Sequence, residues 1–328
     1  MKNEKHTAIK VRKITKSFDQ VKAVNDIDFD VYTGELFGFL GPNGAGKTTT
    51  INMLTGLARP DSGSIHVNDI DCIRNPKAAQ HLIGIVPDDS NLYPELSGFQ
   101  NLCFCASLYG LKKIEREARA GELIEIFDLV KAADRKFGGY SKGMKRKLTI
   151  AAGIIHHPSI LFLDEPTTGI DVMSARQLRL IISELHKKGT TIFLTTHYIE
   201  EAERLCDRIA FIVSGKIIRI DSVPNLLQPI KSRHTLKIIC SPGITKLKKA
   251  MEDNFLSTKI IIQEEGVLRI EASKPIPVGP LIRFLEDRHI DVFEAIRIKP
   301  SLEEVFVDIT GVKIDSMKNE KEKSGGTS

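Results

Sequence analysis

Tryptophan is absent from this chain, and Phe and Tyr alone supply the 6% of residues that are aromatic. No basic stripe is interleaved with them, so the stacking platform of a single-strand nucleic-acid binder is missing. Net charge is +5 over 328 residues. That mild excess suits a nucleotide site or an anionic membrane surface and does not by itself point to nucleic acid. No nucleic-acid partner is expected. The five cysteines, Cys72, Cys103, Cys105, Cys206 and Cys240, include no C-x-x-C pair. An odd number does not suit a disulfide framework, and Cys103-Phe104-Cys105 is too tight for a zinc knuckle. Reduced thiols in the cytosol are expected. No apolar run approaches the roughly 18 residues of a membrane span. The charged start, Met1 to Lys10, lacks the apolar core of a secretory signal.

What the chain does hold begins at Gly41-Pro42-Asn43-Gly44-Ala45-Gly46-Lys47-Thr48, which fits G-x-x-x-x-G-K-[ST] at every fixed position. A strand pattern over 36–40 leads in, and a helical pattern from Thr49 to Leu57 leads out. The glycines let the backbone curl into a nest of N–H groups facing a polyphosphate. The following helix points its positive end at the same anion. Lys47 is expected to reach the β- and γ-phosphates, and the Thr48 hydroxyl to bind Mg²⁺. Residues 41 to 49, Thr49 included, are the expected nucleotide contacts on this side.

A second motif, Ser159-Ile160-Leu161-Phe162-Leu163-Asp164-Glu165, is a continuous apolar run ending in two acids. Apolar on both faces, it reads as a buried central strand of a parallel sheet. Open α/β sheets bind ligands beyond the carboxyl ends of their strands. Asp164 therefore falls where a Mg²⁺ ligand is wanted. Glu165, one step further out, is placed to orient water and accept its proton. ATP and Mg²⁺ are the expected cofactors.

Between these motifs lies Tyr140-Ser141-Lys142-Gly143-Met144-Lys145-Arg146. With its neighbours it makes the chain resemble the nucleotide-binding subunit of an ATP-binding cassette (ABC) transporter. The segment is similar to that family's signature, usually written LSGGQ. Ser141 and Gly143 match, whereas Lys142 replaces a glycine and Met144 the glutamine. In the family this segment opens a helix and contacts the γ-phosphate of ATP held by the opposite subunit. A hydroxyl and free N–H groups at a helix start suit that task. The resemblance continues in order. Thr168-Gly169-Ile170-Asp171 resembles the loop that crosses the dimer interface. His197, after the apolar strand 191–195, resembles the switch histidine at the γ-phosphate. Phe18 falls where the family places an aromatic that stacks on adenine. Pro87-Asp88-Asp89 is a departure, because Asp88 occupies the place of a usual glutamine. A carboxylate would bind Mg²⁺ more strongly than an amide oxygen but would repel the γ-phosphate if left unpaired. Asp88 is expected to act as a metal or water contact that couples ATP to the membrane partner; a plain acidic loop is the alternative.

Strand patterns at Ala8–Ile14, Val24–Val31 and Ser64–Asn68 would, by the resemblance, build an antiparallel sheet that holds adenine. Core strands are expected at 36–40, 82–86, 159–163, 191–195 and 209–213, with a hairpin at Val213–Ile217. From about 90 to 157 the pattern turns helical, with Leu123, Ile126, Phe127 and Val130 as an amphipathic stripe. In the family this insert docks on the membrane subunit. Leu92-Tyr93-Pro94-Glu95-Leu96, a loop with two apolar anchors that look exposed, is a candidate for that surface. Pro224 and Pro229 interrupt the pattern near Val223 to Arg233. Beyond them come strand His234–Cys240, helix Ile244–Phe255, strands Lys259–Gln263 and Val267–Ala272, helix Val278–Arg288 and strand Asp291–Lys299. That order is ferredoxin-like. A last helix begins at Ser301, with Glu304 placed to complete a capping box.

Pro300-Ser301-Leu302-Glu303-Glu304-Val305-Phe306 resembles the C-terminal segment of ABC-2-type exporter ATPases, a branch that serves drugs, lipids, polysaccharides and ions. The expected fold class is thus α/β: a P-loop NTPase cassette with an antiparallel β subdomain and a helical insert, plus a small C-terminal ferredoxin-like α+β domain. Expected bounds are 1–225 for the cassette, 232–312 for the accessory domain, and 313–328 for a tail expected to be disordered. The resemblance implies a Mg²⁺-dependent ATPase, peripheral on the cytoplasmic face of the membrane. It would work as a homodimer or heterodimer with a permease on another chain. Two rivals remain. A soluble ABC ATPase of ribosomes or DNA would carry two cassettes, a coiled coil or a zinc insertion, none of which is visible. A ligand-sensing regulatory ATPase would use the C-terminal domain as sensor.

Overall fold

A computed structural model describes residues 6–231, 234–298 and 301–312. They divide into two compact units, 6–223 with 309–312, and 224–308.

In the first unit, β1 (Thr7–Phe18) and β2 (Val21–Tyr32) form a long hairpin. Both strands run further than the alternating patterns suggested. Register shifts, with Lys13 and Asp26 at φ 47° and 52°, re-aim the chain so that pairing continues to Phe18 and Val21. The core sheet begins with β3 (Leu36–Leu40). Next, β4 (Ser62–Val67) and β5 (Ile70–Asp71) complete an antiparallel sheet of order β2-β1-β4-β5. The core sheet resumes with β6 (Ile83–Val86), β7 (Ile160–Asp164), β8 (Thr191–Thr196) and β9 (Arg208–Val213). With β3 these run parallel in the order β9-β3-β8-β7-β6. The expected hairpin adds β10 (Lys216–Ser222) antiparallel to β9. Every residue of β3, β7 and β8 is buried, as strands covered on both faces must be.

Phenylalanine does the packing that tryptophan does elsewhere. Phe29 of β2 lies 5.6 Å from Phe37, 5.8 Å from Phe39 and 5.9 Å from Phe193 between ring centres. Phe162 of β7 joins Phe193 at 5.6 Å. Each such pair contributes about 0.5–1.5 kcal/mol beyond its buried area. This cluster seats the antiparallel sheet on β3 and so steadies the loop that leaves it.

Helix α1 (Lys47–Leu54) follows β3, and α2 (Pro76–Gln80) precedes β6. The insert holds α3 (Gly98–Leu108), α4 (Lys113–Ile126) and α5 (Lys142–Gly153). Then come α6 (Val172–Lys187) and α7 (Ile199–Leu205), while α8 (Val223–Lys231) falls, but for Val223, in the second unit. Three expectations need correction here. Helix α1 starts two residues earlier than Thr49 and stops at Leu54, capped by Thr55. The stripe in the insert is a different one, because α4 ends at Ile126 and Asp128 turns left-handed at φ 53°. Ala120, Leu123, Ile124 and Phe127 are therefore buried, while Ile126 and Val130 are exposed. In the loop after β6, Tyr93 is 52% exposed but Leu92 is buried, so the pair of exposed anchors is not formed.

In the second unit, β11 (His234–Cys240), β12 (Thr258–Glu264), β13 (Val267–Ala272) and β14 (Val292–Ile298) form an antiparallel sheet of order β12-β13-β11-β14. Helices α9 (Lys248–Asn254) and α10 (Val278–Glu286) complete a β-α-β-β-α-β order. The helix expected from Ile244 is split, a 3-10 turn over Ile244–Leu247 preceding α9. Leu236, Ile238, Met251, Leu268, Leu281 and Leu285 share its core. Helix α11 (Leu302–Thr310) buries Leu302, Val305 and Phe306. Glu304, expected to close a capping box, accepts a hydrogen bond from Arg269 Nη2 at 2.8 Å. The tail expectation at 313–328 lies outside the described residues. All five cysteines are free. No helix among the described residues is long and apolar enough to cross a membrane.

Candidate functional site

The phosphate-binding loop leaves β3 and turns into α1. Gly46 caps α1 at φ 101°, and a Cβ there would stand 2.3 Å from the Ala23 carbonyl oxygen. Only glycine fits both the left-handed conformation and the close approach of β2. Lys47 follows and is 6% exposed. Its ammonium donates to the carbonyls of Gly41 at 2.8 Å and Pro42 at 3.1 Å, and lies 3.2 Å from Glu165 Oε1.

Asp164 ends β7 and Glu165 turns away from the strand at φ 49°. That left-handed step sends the two carboxylates to different places. Asp164 points at hydroxyls: Thr195 donates to its Oδ1, and Thr48 also hydrogen-bonds to it. Burial raises the Asp164 pKa, with those two hydroxyls opposing and the charges of Glu165 and Asp88 adding to the rise. Glu165 faces Lys47 and His197. His197 Nδ1 lies 2.6 Å from Glu165 Oε2, and Thr168 Oγ1 donates to the same oxygen at 2.9 Å. Burial alone would raise the Glu165 pKa. The His197 bond, the Lys47 charge and Thr168 outweigh it, and the pKa falls below the ordinary value. Glu165 is thus an ionised, positioned carboxylate at neutral pH, and its imidazole partner carries the proton on Nδ1.

Asn43, Gly44, Gly46, Lys47, Thr48, Thr49, Asp88, Glu165 and His197 line one cleft of about 200 Å³ with Ala23. Gly41 and Pro42 lie behind it as acceptors for Lys47, and Ala45 is buried. A larger cavity, about 540 Å³, opens between α4, α6 and the segment 154–158 that follows α5, and none of the expected site residues lines it. Phe18 is 52% exposed at the hairpin end with Lys16 Nζ 5.5 Å from its ring centre, and it does not line the cleft. Ser141, Gly143 and Asp171 do not line it either. Ser141 caps α5 by accepting from Met144 N–H, and Asp171 caps α6 by accepting from Ser174 N–H at 2.9 Å. A second cavity, about 340 Å³, joins Asp88 to Lys142, Lys145, Arg146 and Gly169.

The donors present suit Mg²⁺. Among the described residues no group of three or more His, Cys, Asp or Glu side chains is arranged to cage a metal. One buried carboxylate beside threonine hydroxyls at a phosphate-binding loop fits instead a cation that keeps water and substrate oxygens as its other ligands.

Three participants were missed from the sequence. Thr195 orients Asp164 from the neighbouring strand; the polar end of an otherwise apolar run was its only signal. Glu201, buried, accepts from Thr167 at 2.8 Å, and burial raises its pKa. Arg146 sits inside the charged run Lys145-Arg146-Lys147, and its place on the i, i+4 stripe of Ile150 was its only signal.

A glycine-rich loop with a buried lysine, followed on adjacent strands by an acid pair and a histidine, defines a P-loop nucleoside-triphosphate hydrolase. The ABC transporter family model matches residues 24–168. The linearmycin resistance ATP-binding protein LnrL of Bacillus subtilis (strain 168) is 35% identical over 306 residues, 92% of this chain and 98% of that protein. The daunorubicin/doxorubicin resistance ATP-binding protein DrrA of Streptomyces peucetius is 34% identical over 326 residues, 98% of each chain. A solved structure of an ATP-binding subunit of an ABC transporter matches at TM-score 0.63 and 29% identity, over 68% of this chain and 93% of that one. The chain belongs to the ABC transporter family, as one of its ATP-binding, ATP-hydrolysing subunits. These relatives are named as drug-resistance ATP-binding proteins, consistent with the ABC-2-type exporter branch that the C-terminal residues suggested.

Proposed function

We propose that this chain hydrolyses ATP to drive export through a permease on another chain, from the cytoplasmic face of the membrane. The observation that carries the reading is the linked trio of Lys47, Glu165 and His197 at the carboxyl ends of adjacent strands. On binding ATP, Lys47 exchanges its carbonyl and carboxylate contacts for phosphate oxygens. Glu165 is then free to accept a proton from the attacking water. His197 steadies Glu165 by donating from Nδ1 and so holds the geometry beside the γ-phosphate. Bound Mg²⁺, held by Thr48 and Asp164 with Asp88 alongside, would neutralise charge on the β- and γ-phosphates.

Ser141, Gly143 and Asp171 lie away from the Lys47 cleft, which supports their use on a second subunit's nucleotide. ATP would be sandwiched between two copies, or between this chain and a related one, with Phe18 against adenine. Closure on ATP and opening after hydrolysis would move the permease. Residues 232–312 are read as a ferredoxin-like accessory domain beside a cassette at 1–225; the sheet order supports this. Drug export is supported by the relatives' names, while the cargo contacts belong to the permease.

The test uses tagged Glu165→Gln chain with Mg²⁺ and ATP in detergent-solubilised native membranes. Loss of turnover, an ATP-stabilised dimer and a stoichiometric multi-spanning partner are expected. Hydrolysis at the parent rate removes Glu165 as the base. Recovery with ribosomes or DNA and no membrane protein overturns the transport reading.

A further inference from the structure

Arg146 lies one turn into α5 and is only 6% exposed. Its guanidinium donates entirely to backbone carbonyls. Nε reaches Pro166 at 2.9 Å, Nη1 reaches Asp88 at 2.9 Å and also Pro87, and Nη2 reaches Asp164 at 2.5 Å. One side chain therefore ties three segments together: the loop after β6 that holds Asp88, the end of β7 that holds Asp164, and the turn beyond Glu165. Burial pulls the Arg146 pKa down, and the charges of Asp88, Asp164, Glu201 and Glu165 hold it up, Asp88 foremost. A planar fork spreads five donors over three nitrogens and so reaches carbonyls on three separate segments, whereas an ammonium offers its three donors from a single nitrogen.

We infer that Arg146 is a positioning residue, and that with Asp88 it forms one charge-matched unit joining the start of α5 to the Asp164–Glu165 pair. This rests on the function proposed above. Ser141 and Gly143 open the same helix that carries Arg146. Any displacement of that helix on meeting the partner subunit's nucleotide is passed by a stiff, buried guanidinium to this subunit's own acids. The unit also gives Asp88 a reason to be acidic. Asp88 and Arg146 line one cavity, and Asp88 is foremost among the four acids whose charge acts on the buried guanidinium, so removing either member changes the field at the other.

The experiment compares Arg146→Gln, Arg146→Lys, Asp88→Asn and the double variant Arg146→Gln/Asp88→Asn in the full chain. Steady-state ATPase, ATP binding by calorimetry and melting temperature without nucleotide are measured for each. Arg146→Gln is expected to lower kcat by about 100-fold, the scale of a displacement of about 1 Å in a reacting group, with ATP affinity retained. Arg146→Lys, which keeps charge but loses the fork, recovers only part of kcat. The double variant exceeds Arg146→Gln in both kcat and melting temperature, because the unmatched carboxylate is gone.

The inference is overturned if Arg146→Gln keeps kcat within about twofold of the parent, or if its loss lies in ATP affinity. Single losses that simply multiply in the double variant also overturn it, as does coupling in melting temperature without coupling in kcat. If Arg146→Gln does not fold, the cycle is run with Arg146→Lys, and multiplicative losses there decide against it. Glu165→Gln in the parent background reports separately on the proposed base, so failure of that reading is distinguishable.

Discussion

Gly143 has a packing reason to be glycine that is independent of any partner. A Cβ there would stand 2.3 Å from Ser174 Oγ and 2.7 Å from Ser174 Cβ. Ser174 cannot easily turn away, because Asp171 holds its hydroxyl at 2.7 Å and its N–H at 2.9 Å. Gly143→Ala therefore forces the starts of α5 and α6 apart. Overpacking of this kind costs about 1–3 kcal/mol. Alanine returns up to about 1 kcal/mol through its better helix propensity. Taking the middle of the first range leaves about 1 kcal/mol of net loss, or about 2–4 °C in melting temperature for a domain near 200 residues. Ser174→Gly removes both clashing atoms. In that background Gly143→Ala is expected to reverse sign and raise the melting temperature. Differential scanning calorimetry of the four combinations measures this directly. An equal drop with and without Ser174→Gly would falsify the close-approach argument.

Two other perturbations follow from the geometry. His156 stacks on Tyr109 with ring centres 3.5 Å apart and donates from Nε2 to the Ile83 carbonyl at 3.0 Å. Burial pushes its pKa from 6.5 down to about 4. Across that window the unfolded chain binds a proton that the folded chain does not, so His156 lowers stability as pH falls through it. His156→Phe keeps the ring and loses the proton. Its melting temperature should decline less steeply than the parent's over this window, and parallel slopes would refute the assignment. Tyr93 meets Phe104 edge-on at 5.1 Å, and both rings are exposed beside the Asp88 loop. If this pair docks on the permease, Tyr93→Ala removes an aromatic anchor of about 2 kcal/mol, a roughly 30-fold weaker association. Unchanged co-purification of the membrane partner would remove Tyr93 from that surface.

The phosphate-binding loop and the acid-terminated strand were legible because each is a contiguous segment. Their chemistry depends on neighbours in the chain, and buried parallel strands announce themselves as unbroken apolar runs. Segments whose burial depends on other elements were less legible. Leu92 and Tyr93 are adjacent and both apolar, yet only packing decides that one is buried and the other is not. The stripe through Ile126 and Val130 failed because periodicity does not show where Asp128 ends the helix. Arg146 was given no role, since composition cannot show that three sets of backbone carbonyls converge on it.

From its sequence alone this protein is an α/β P-loop ATPase with a second small α+β unit, because local motifs and strand patterns are written in consecutive residues. Tertiary structure decided which distant groups meet. The strand order places β3, β8 and β7 side by side although they are far apart in the chain. That adjacency, set by parallel crossovers and the burial of both sheet faces, brings Lys47, His197 and Glu165 within contact distance. It also closes the three carbonyl-bearing segments around Arg146. Such convergence depends on distances across the sheet, and sequence separation does not encode them.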